Sequence, residues 1–290
     1  MNLSDSSKGI ALALVGIMTL SPDSLLIRLI DTDLWTVTFL RSIFIGLSLS
    51  VFMLILYRGR VVQRILQMDR YAVLIMLFMT VSNIFFVASV QTTSVVHTLI
   101  IVGAAPVVAA VMGVVFLKET VSTKTWSTIV VVIGCLVLVV YDKQKSSLLG
   151  DFYALMACLL WSTIFIFGRL TRTNNMLAAM CISGFINASW TYPLAQLSSL
   201  NGQQIALGLL LGCLVGAALS QITLAPRFIP AAEVAMFMPL ETVFGSFLVW
   251  WVLGEIPSII TMTAGSVMIL AIMLYSYTSL KRSAAKRCSP

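Results

Sequence analysis

Two stretches of this chain read as copies of one apolar unit: SVVHTLIIVGAAPVVAAVMGVVFLKE at residues 94–119 and PAAEVAMFMPLETVFGSFLVWWVLGE at residues 230–255. An offset of about 136 residues aligns the two stretches and places His97 on Glu233. Similarity at a fixed offset is the sequence signature of an internal duplication. The two stretches therefore predict that one structural unit occurs twice in the chain.

The earlier part of each half carries a second match. An offset of about 141 residues places Gly9 on Gly150 and Ser21 on Ser162. Either match alone would be weak in so apolar a chain. Because both run in the same order with nearly the same offset, we interpret the whole chain as a duplicated block.

The composition is that of an integral membrane protein. Of the 290 residues, 59% are hydrophobic and 10% are charged, and the mean hydropathy is +1.02. Soluble domains carry about 25% charged residues. The chain also has no segment polar enough for a soluble catalytic or nucleic-acid-binding domain.

Ten apolar runs divide the chain. About 20 residues at 1.5 Å rise per residue cross a hydrocarbon core of roughly 30 Å, so runs of this length predict membrane-spanning helices. The sequence predicts an all-α polytopic membrane protein with ten transmembrane helices. The predicted runs are residues 9–29, 34–57, 71–90, 94–117, 125–141, 150–170, 176–197, 204–224, 230–252 and 259–278.

The basic residues predict the orientation of these helices. Cytoplasmic segments of membrane proteins are enriched in lysine and arginine. With the N-terminus inside, 14 of the 18 basic residues fall on the cytoplasmic side, and Arg28, Lys143 and Lys145 fall on the other. We therefore expect a multi-pass protein of the cell membrane, specifically a bacterial inner membrane, with both termini in the cytoplasm.

Each predicted repeat has five helices, an odd number. The second repeat must then enter the membrane from the opposite side, which gives an inverted pair. We expect residues 1–145 to form the first repeat and residues 146–290 the second, in one integrated transmembrane domain. Inverted repeats are typical of transporters, because a cavity between them can open to either side by exchange of their conformations.

Short motifs in both halves resemble the drug/metabolite transporter superfamily, specifically its ten-helix EamA-type members. Arg41 stands where that family carries an arginine early in its second helix. The resemblance implies export or exchange of small metabolites. The motifs are IPAAEVA at residues 229–235, LE at 240–241, LGE at 253–255, TSVV at 93–96 and LKE at 117–119.

Two positions depart from the family pattern. Thr242 replaces the proline that normally follows Glu241, and Lys118 replaces a usual glycine. The sequence therefore predicts that the ninth helix lacks the expected proline kink.

Charged groups at membrane depth form the first candidate site. Insertion of such a group costs about 2.5 to 3.5 kcal/mol, so each one suggests a function. Asp23 and Arg41 lie at matching depth in the first two runs, and Ser82 and Asn83 fall near the same level. We expect this cluster to contact a polar substrate head group; the alternative is a structural ion pair that holds two helices together.

Pro22 interrupts the first run directly before Asp23. Proline frees backbone groups that need partners inside the protein, and broken helices often border transporter binding sites. We predict a helix break here, with a simple packing kink as the other interpretation.

Glu241 lies near the centre of the ninth run and has no basic partner at its depth in the second half. A buried carboxyl in such a place favours its neutral form. Glu241 is therefore our candidate for proton coupling. Hydrogen bonds to backbone or hydroxyl groups of neighbouring helices are the alternative role.

His97 is the only histidine of the chain. Histidine changes its charge between about pH 5 and 8, so His97 is a candidate for pH sensing. Its place near the outer end of the fourth run equally suits an ordinary helix-end residue.

The candidates for the wall of an apolar substrate pocket are Trp161, Phe165, Trp190, Tyr192 and Gln221. Trp161 in particular stands near mid-membrane, away from the interfacial belt where tryptophan collects.

Signatures of enzymes and of cofactor sites are missing from the sequence. It contains no HExxH, GxSxG, P-loop or DDxxD pattern. We expect no catalytic residue, no cofactor, no metal and no nucleic-acid partner. The expected partners are a small-molecule substrate and the lipid bilayer, and either a monomer or a homodimer is compatible with the sequence.

The sequence thus favours a secondary transporter, an exporter or exchanger of a small organic metabolite such as an amino acid or an amphipathic compound. Multidrug efflux is the alternative within transporters. A membrane-embedded enzyme or a receptor is the alternative of another class.

Overall fold

Helices make up all the regular structure in the part of the chain that the computed structural model describes, residues 3–58, 61–117, 123–142, 147–170, 176–229 and 231–288. The α-helices are α1 (Leu3–Leu20), α2 (Asp23–Ile30), α3 (Leu34–Tyr57), α4 (Val61–Leu66), α5 (Arg70–Thr92), α6 (Val95–Gly103), α7 (Ala105–Leu117), α8 (Thr123–Tyr141), α9 (Leu148–Leu170), α10 (Met176–Thr191), α11 (Gly202–Leu224), α12 (Ala231–Leu253) and α13 (Ile259–Cys288). Short 3₁₀ turns occupy Tyr192–Leu194, Leu197–Ser199 and Ala225–Arg227.

Six helical segments of the described ranges are long and apolar enough to cross a membrane. They are α1 with α2, α3, α5, α6 with α7, α9 and α11. Shorter apolar helices lie within α8, α12 and α13. The chain is therefore an all-helical, multi-pass membrane protein.

Two of the membrane segments are interrupted. The break predicted at Pro22 is confirmed, because α1 ends at Leu20 and α2 begins at Asp23. A second break, which the sequence analysis did not predict, separates α6 from α7 at Ala104. Pro106 follows that break directly, and proline is readily accommodated in the first turn of a helix but not in its interior.

One predicted helix boundary was wrong. The seventh run was predicted to reach residue 197, but α10 ends at Thr191, since Pro193 lacks the N–H that would continue the helix. The basic linker between the second and third runs contains the short helix α4. The helix that carries Glu241, α12, contains Pro239, and the absence of the family's kink after Glu241 stays a prediction.

Close helix packing rests on the glycines of α11. Gly208, Gly212 and Gly216 lie one turn apart and face α3, where a side chain at Gly212 would come within 2.6 Å of the backbone carbonyl carbon of Phe44. The face is smooth because glycine lacks a Cβ, which lets two backbones approach. α3 is in turn packed against α10 on another side.

Helix α12 crosses both interrupted segments. A side chain at Gly245 would come within 3.2 Å of the Ser21 carbonyl oxygen, at the break between α1 and α2. Near the other break, Thr242 donates a hydrogen bond of 3.2 Å to the Leu99 carbonyl oxygen. The centre of α12 therefore lies between the two helix breaks.

Gly9 of α1 and Gly150 of α9 make contacts of the same kind with the other half of the chain. A Cβ at Gly9 of α1 would lie 2.6 Å from Cγ2 of Ile229. A Cβ at Gly150 of α9 would lie 2.8 Å from the backbone nitrogen of Thr93. In both places a glycine in the first half of its helix packs tightly against a residue two positions before the start of another helix, α12 for Ile229 and α6 for Thr93.

Candidate functional site

The guanidinium of Arg41 and the carboxylate of Asp23 form a buried ion pair. Asp23 is the first residue of α2, directly after the Pro22 break, and Arg41 lies two turns into α3. Arg41 donates from Nε to Oδ1 at 3.0 Å and from Nη2 to Oδ2 at 2.6 Å. This two-point geometry is the strongest form of arginine–carboxylate contact. The helix break at Pro22 thus places the Asp23–Arg41 ion pair in the interior of the protein.

Asn83 of α5 completes the polar cluster. Arg41 donates from Nη1 to the Asn83 side-chain oxygen, and the Asn83 amide donates to the Ser42 hydroxyl at 2.7 Å. The guanidinium also lies over the ring of Phe86, 5.4 Å from its centroid. Each guanidinium nitrogen of Arg41 therefore has a partner, and the side chain is held in one position.

Glu241 of α12 faces the same region. It is half-buried and lies within electrostatic interaction range of both Asp23 and Arg41. Sequence reasoning found no basic partner for Glu241 because it searched the second half alone. The fold brings Arg41 of the first half toward it.

Ser82 and Gln221 do not join this cluster. Ser82 is buried on the side of α5 that meets α9, where its hydroxyl donates to the Ala157 carbonyl at 3.5 Å. Gln221 of α11 lies against α1, since its Cβ would be 3.2 Å from a side chain at Gly16. Both residues stand in helix contacts in this conformation.

Trp161 and Phe165 lie side by side on α9, with ring centroids 6.2 Å apart. They are partly buried against the hydrophobic core formed by α6 to α9 and α13. A separate groove of 330 Å³ runs between α3 and α10. Its lining residues are Phe39, Ile43, Phe185, Ala188, Ser189 and Tyr192, and of these Tyr192 alone was a candidate from the sequence.

His97 lies in a second buried polar cluster, which we call the His97 network: His97, Thr93, Asp142, Asp151, Ser258 and Thr261. The imidazole Nε2 is 3.0 Å from the Thr261 hydroxyl, which donates to Asp142 Oδ2 at 2.6 Å. On its other side, Nδ1 lies 3.5 Å from Asp151 Oδ1. His97 is 2% exposed and Asp151 is 0% exposed.

The rest of the network connects more helix ends. Thr93 donates from its hydroxyl to Asp151 at 3.0 Å, and its carbonyl accepts a bond of 2.6 Å from Arg28. Arg28 also lies 3.8 Å from Glu255. Ser258 donates to Asp142.

Sequence reasoning missed Asp142 and Asp151, because both stand at the ends of apolar runs, where charge is ordinary.

No group of three or more histidine, cysteine or acidic side chains that could hold a metal ion occurs among the described residues. The four cysteines described, Cys135, Cys158, Cys181 and Cys213, are free thiols.

Together, the helical fold and the buried charges between its helices define a polytopic membrane protein with a polar interior. Residues 7–141 match the family model of the EamA-like transporter family. This match places residues 7–141 in the drug/metabolite transporter superfamily, as the motifs of the chain predicted.

A crystal structure titled "Crystal structure of protein" shares the fold. It superimposes with a TM-score of 0.66 at 14% identity, over 96% of this chain and 99% of that chain. No curated protein sequence matches this chain.

Proposed function

We propose that this protein is a secondary transporter, an exporter or exchanger of a small organic metabolite, working by alternating access between two inverted five-helix repeats. The repeats are residues 1–145 and 146–290, and they give ten transmembrane helices with both termini in the cytoplasm of a bacterial cell. The site is the polar cluster of Asp23, Arg41 and Asn83, together with Glu241.

The contacts between helices support the inverted repeat. The repeat offsets pair α1 with α9, and α5 with α11. Accordingly, α9 packs against α5, while α1 packs against α11. Helices predicted to be each other's counterparts also touch: α3 with α10, α6 with α12, and α8 with α13. This pattern is consistent with a two-fold relation between the halves, in which contacts occur in equivalent pairs and helices next to the axis meet their own copies.

The two glycine contacts support the same relation at atomic scale. Gly9 and Gly150 are equivalent by the second offset, and Ile229 and Thr93 are equivalent by the first. Gly9 contacts Ile229 and Gly150 contacts Thr93. Each contact joins one half to the other, so a single rotation accounts for both.

One observation carries the assignment of the site: a fully bonded, buried ion pair stands at the break of α1 and α2, beside an acid from the other half. Groups contributed by both halves, next to a discontinuous helix, are what a substrate site in an inverted repeat requires. Rocking of one half against the other would expose this region to each side in turn.

The fixed polar anchors favour a metabolite with a polar head group, such as an amino acid or an amphipathic compound. Recognition by hydrogen bonds strongly rejects analogues that leave buried polar groups unpaired. A multidrug site would instead need an adaptable apolar wall. Trp161 and Phe165 could supply part of such a wall, so multidrug efflux is the second candidate.

Glu241 is the proposed proton carrier. It is the charged residue of the cluster whose carboxylate is not committed to Arg41 by a hydrogen bond among the described residues. A carboxyl that alternates between acid and anion can couple a proton gradient to transport. No P-loop is present in the sequence, so the proposed energy source is a gradient or exchange.

The test is a thermal-shift screen of the purified protein followed by flux. A ligand that binds only the folded state raises its stability by mass action, by about 2.7 kcal/mol at a hundred times its Kd. Amino acids, nucleotide derivatives and cationic drugs form the screen. The proposal predicts a stabilising metabolite that proteoliposomes transport with saturation. Stabilisation by cationic drugs alone would favour efflux, and chemical conversion of the ligand would favour an enzyme.

A further inference from the structure

The His97 network holds the two halves of the chain together at one end of the bundle. His97 to Thr261, Thr93 to Asp151, and Asp142 to Ser258 each join residues 1–145 to residues 146–290. Opening of this end would separate these partners. In the proposed orientation it is the outer end, so the network is the closed outer gate of the transporter proposed above.

At the opposite end of the bundle, the contact equivalent to Thr93–Asp151 is apolar. By the repeat offsets, the counterparts of Thr93 and Asp151 are Ile229 and Ile10. Ile229 lies in a small hydrophobic cluster with Ala13, Ala225 and Val234. Polar Thr93 and Asp151 therefore stand at one of the two equivalent contacts, and isoleucines stand at the other.

Hydrogen-bond directions fix the protons of the network. An ionised Asp142 accepts hydrogen bonds and cannot donate them. The single proton of the Thr261 hydroxyl points to Asp142, so the hydroxyl can only accept from His97. The Nε2 atom of His97 must then carry a hydrogen and donate it across the 3.0 Å contact.

With Nε2 protonated, a neutral His97 would present a bare lone pair at Nδ1. That atom faces Asp151 Oδ1 at 3.5 Å. Both His97 Nδ1 and Asp151 Oδ2 are buried without a hydrogen-bond partner. This arrangement is unfavourable, because Nδ1 has no donor, and the carboxylate that it faces is buried with Oδ1 bonded to Thr93 alone and Oδ2 unpartnered. A proton on Nδ1 converts this contact into an ion pair.

We infer that His97 and Asp151 form a proton-binding site that locks the outer gate, so that a proton is bound when the gate is closed and released when it opens. The ligand is H⁺ itself. Because the bound proton favours the closed state, acidification should close the gate and alkalinisation should open it. The site is distinct from Glu241, which lies deeper, at the centre of α12.

The surroundings of His97 contain few other titratable groups in the described part of the chain. Asp151 faces it from α9, and Asp142, at the end of α8, reaches it through Thr261. The nearby residues of α5 and α13 that form hydrogen bonds are uncharged: Ser89 bonds to Thr98, the residue after His97, at 2.7 Å, and Thr261 bonds to His97 itself. Two more charged residues lie beyond Thr93. Arg28 of α2 donates a hydrogen bond to the Thr93 carbonyl, and Glu255, two residues after α12, lies 3.8 Å from Arg28.

The test measures the gate directly, independently of transport. Spin labels at Leu29→Cys and Leu148→Cys, in a background without the five native cysteines, report the distance between the two halves at this end. Both positions are exposed. In the parent, the long-distance population should rise as the pH is raised. One proton limits the change in the population ratio to about tenfold per pH unit.

His97→Gln and Asp151→Asn should each abolish this pH response, in protein that elutes as a single species. Thr98→Val is the matched control, since it breaks a buried polar pair next to His97 without removing a titratable group; it should keep the parent response. A parent without pH response, or a His97→Gln protein that follows the parent, would overturn the inference. Failure of flux with an intact pH response would instead count against the proposed function.

Discussion

Arg41 donates two hydrogen bonds to the carboxylate of Asp23 and a third, from its remaining guanidinium nitrogen, to Asn83. The pair joins α3 to the start of α2, at the point where the first membrane segment is broken. Such a pair can be structural, functional or both. Removal of one partner alone cannot separate these roles, because it leaves a buried, uncompensated charge that costs about 3 to 5 kcal/mol.

We predict that the neutral double variant Asp23→Asn/Arg41→Gln will fold but will not transport. Replacing both charges removes the uncompensated partner, so the melting temperature should stay closer to that of the parent than in Arg41→Ala. Transport should be lost in both variants because the substrate's polar anchor is gone. The measurements are thermal melting in detergent and flux in proteoliposomes. Parental flux through a stable double variant would assign the pair a purely structural role.

Glu241→Gln should uncouple transport from a pH gradient while exchange of substrate continues. Glutamine keeps the size and hydrogen-bonding capacity of the side chain but cannot bind and release a proton. The check is flux with and without an imposed pH gradient. Asp31→Asn is the control: Asp31 is exposed with a φ of 44°, a conformation that asparagine tolerates.

A Glu241→Gln protein that responds to the gradient like the parent would remove Glu241 from the coupling mechanism.

Gly212→Ala should destabilise the fold, and Gly134→Ala should not. An added methyl group at Gly212 would meet Phe44 of α3, including its backbone, and overpacking of this kind costs about 1 to 3 kcal/mol. At Gly134 of α8 nothing lies within 4 Å of an added Cβ, and alanine is the better helix former. Melting temperatures of the two variants compare them directly; equal melting would contradict the α3–α11 packing.

Much of the fold could be predicted from the sequence, because a membrane-spanning segment appears there as a long run of apolar residues. The Pro22 break was also predictable, since proline removes a helix hydrogen bond wherever it stands. The break between α6 and α7 was not. Pro106 stands in that run, but proline is common in membrane helices, and one such as Pro239 lies inside the continuous helix α12, so a proline alone does not decide whether a run is divided.

The candidate sites were readable in part. Depth along the helices suggested that Asp23, Arg41 and Asn83 are neighbours, and the structure brings them together. Depth cannot tell which face of a helix a residue occupies, so Ser82, one position from Asn83, turns to α9 instead. Asp151 escaped notice because its burial comes from the packing of other helix ends around it, which no local pattern encodes.

The most direct test of the account is the sidedness of two repeat-equivalent positions. Ser7 and Leu148 are separated by the second offset, and both are exposed at the start of their helices. Single cysteines at these positions, in a background without native cysteines, are treated with a membrane-impermeant maleimide in intact cells and in opened cells. The account predicts that Leu148→Cys is labelled in intact cells, whereas Ser7→Cys is labelled only in opened cells. Labelling of both from the same side would contradict the inverted repeat.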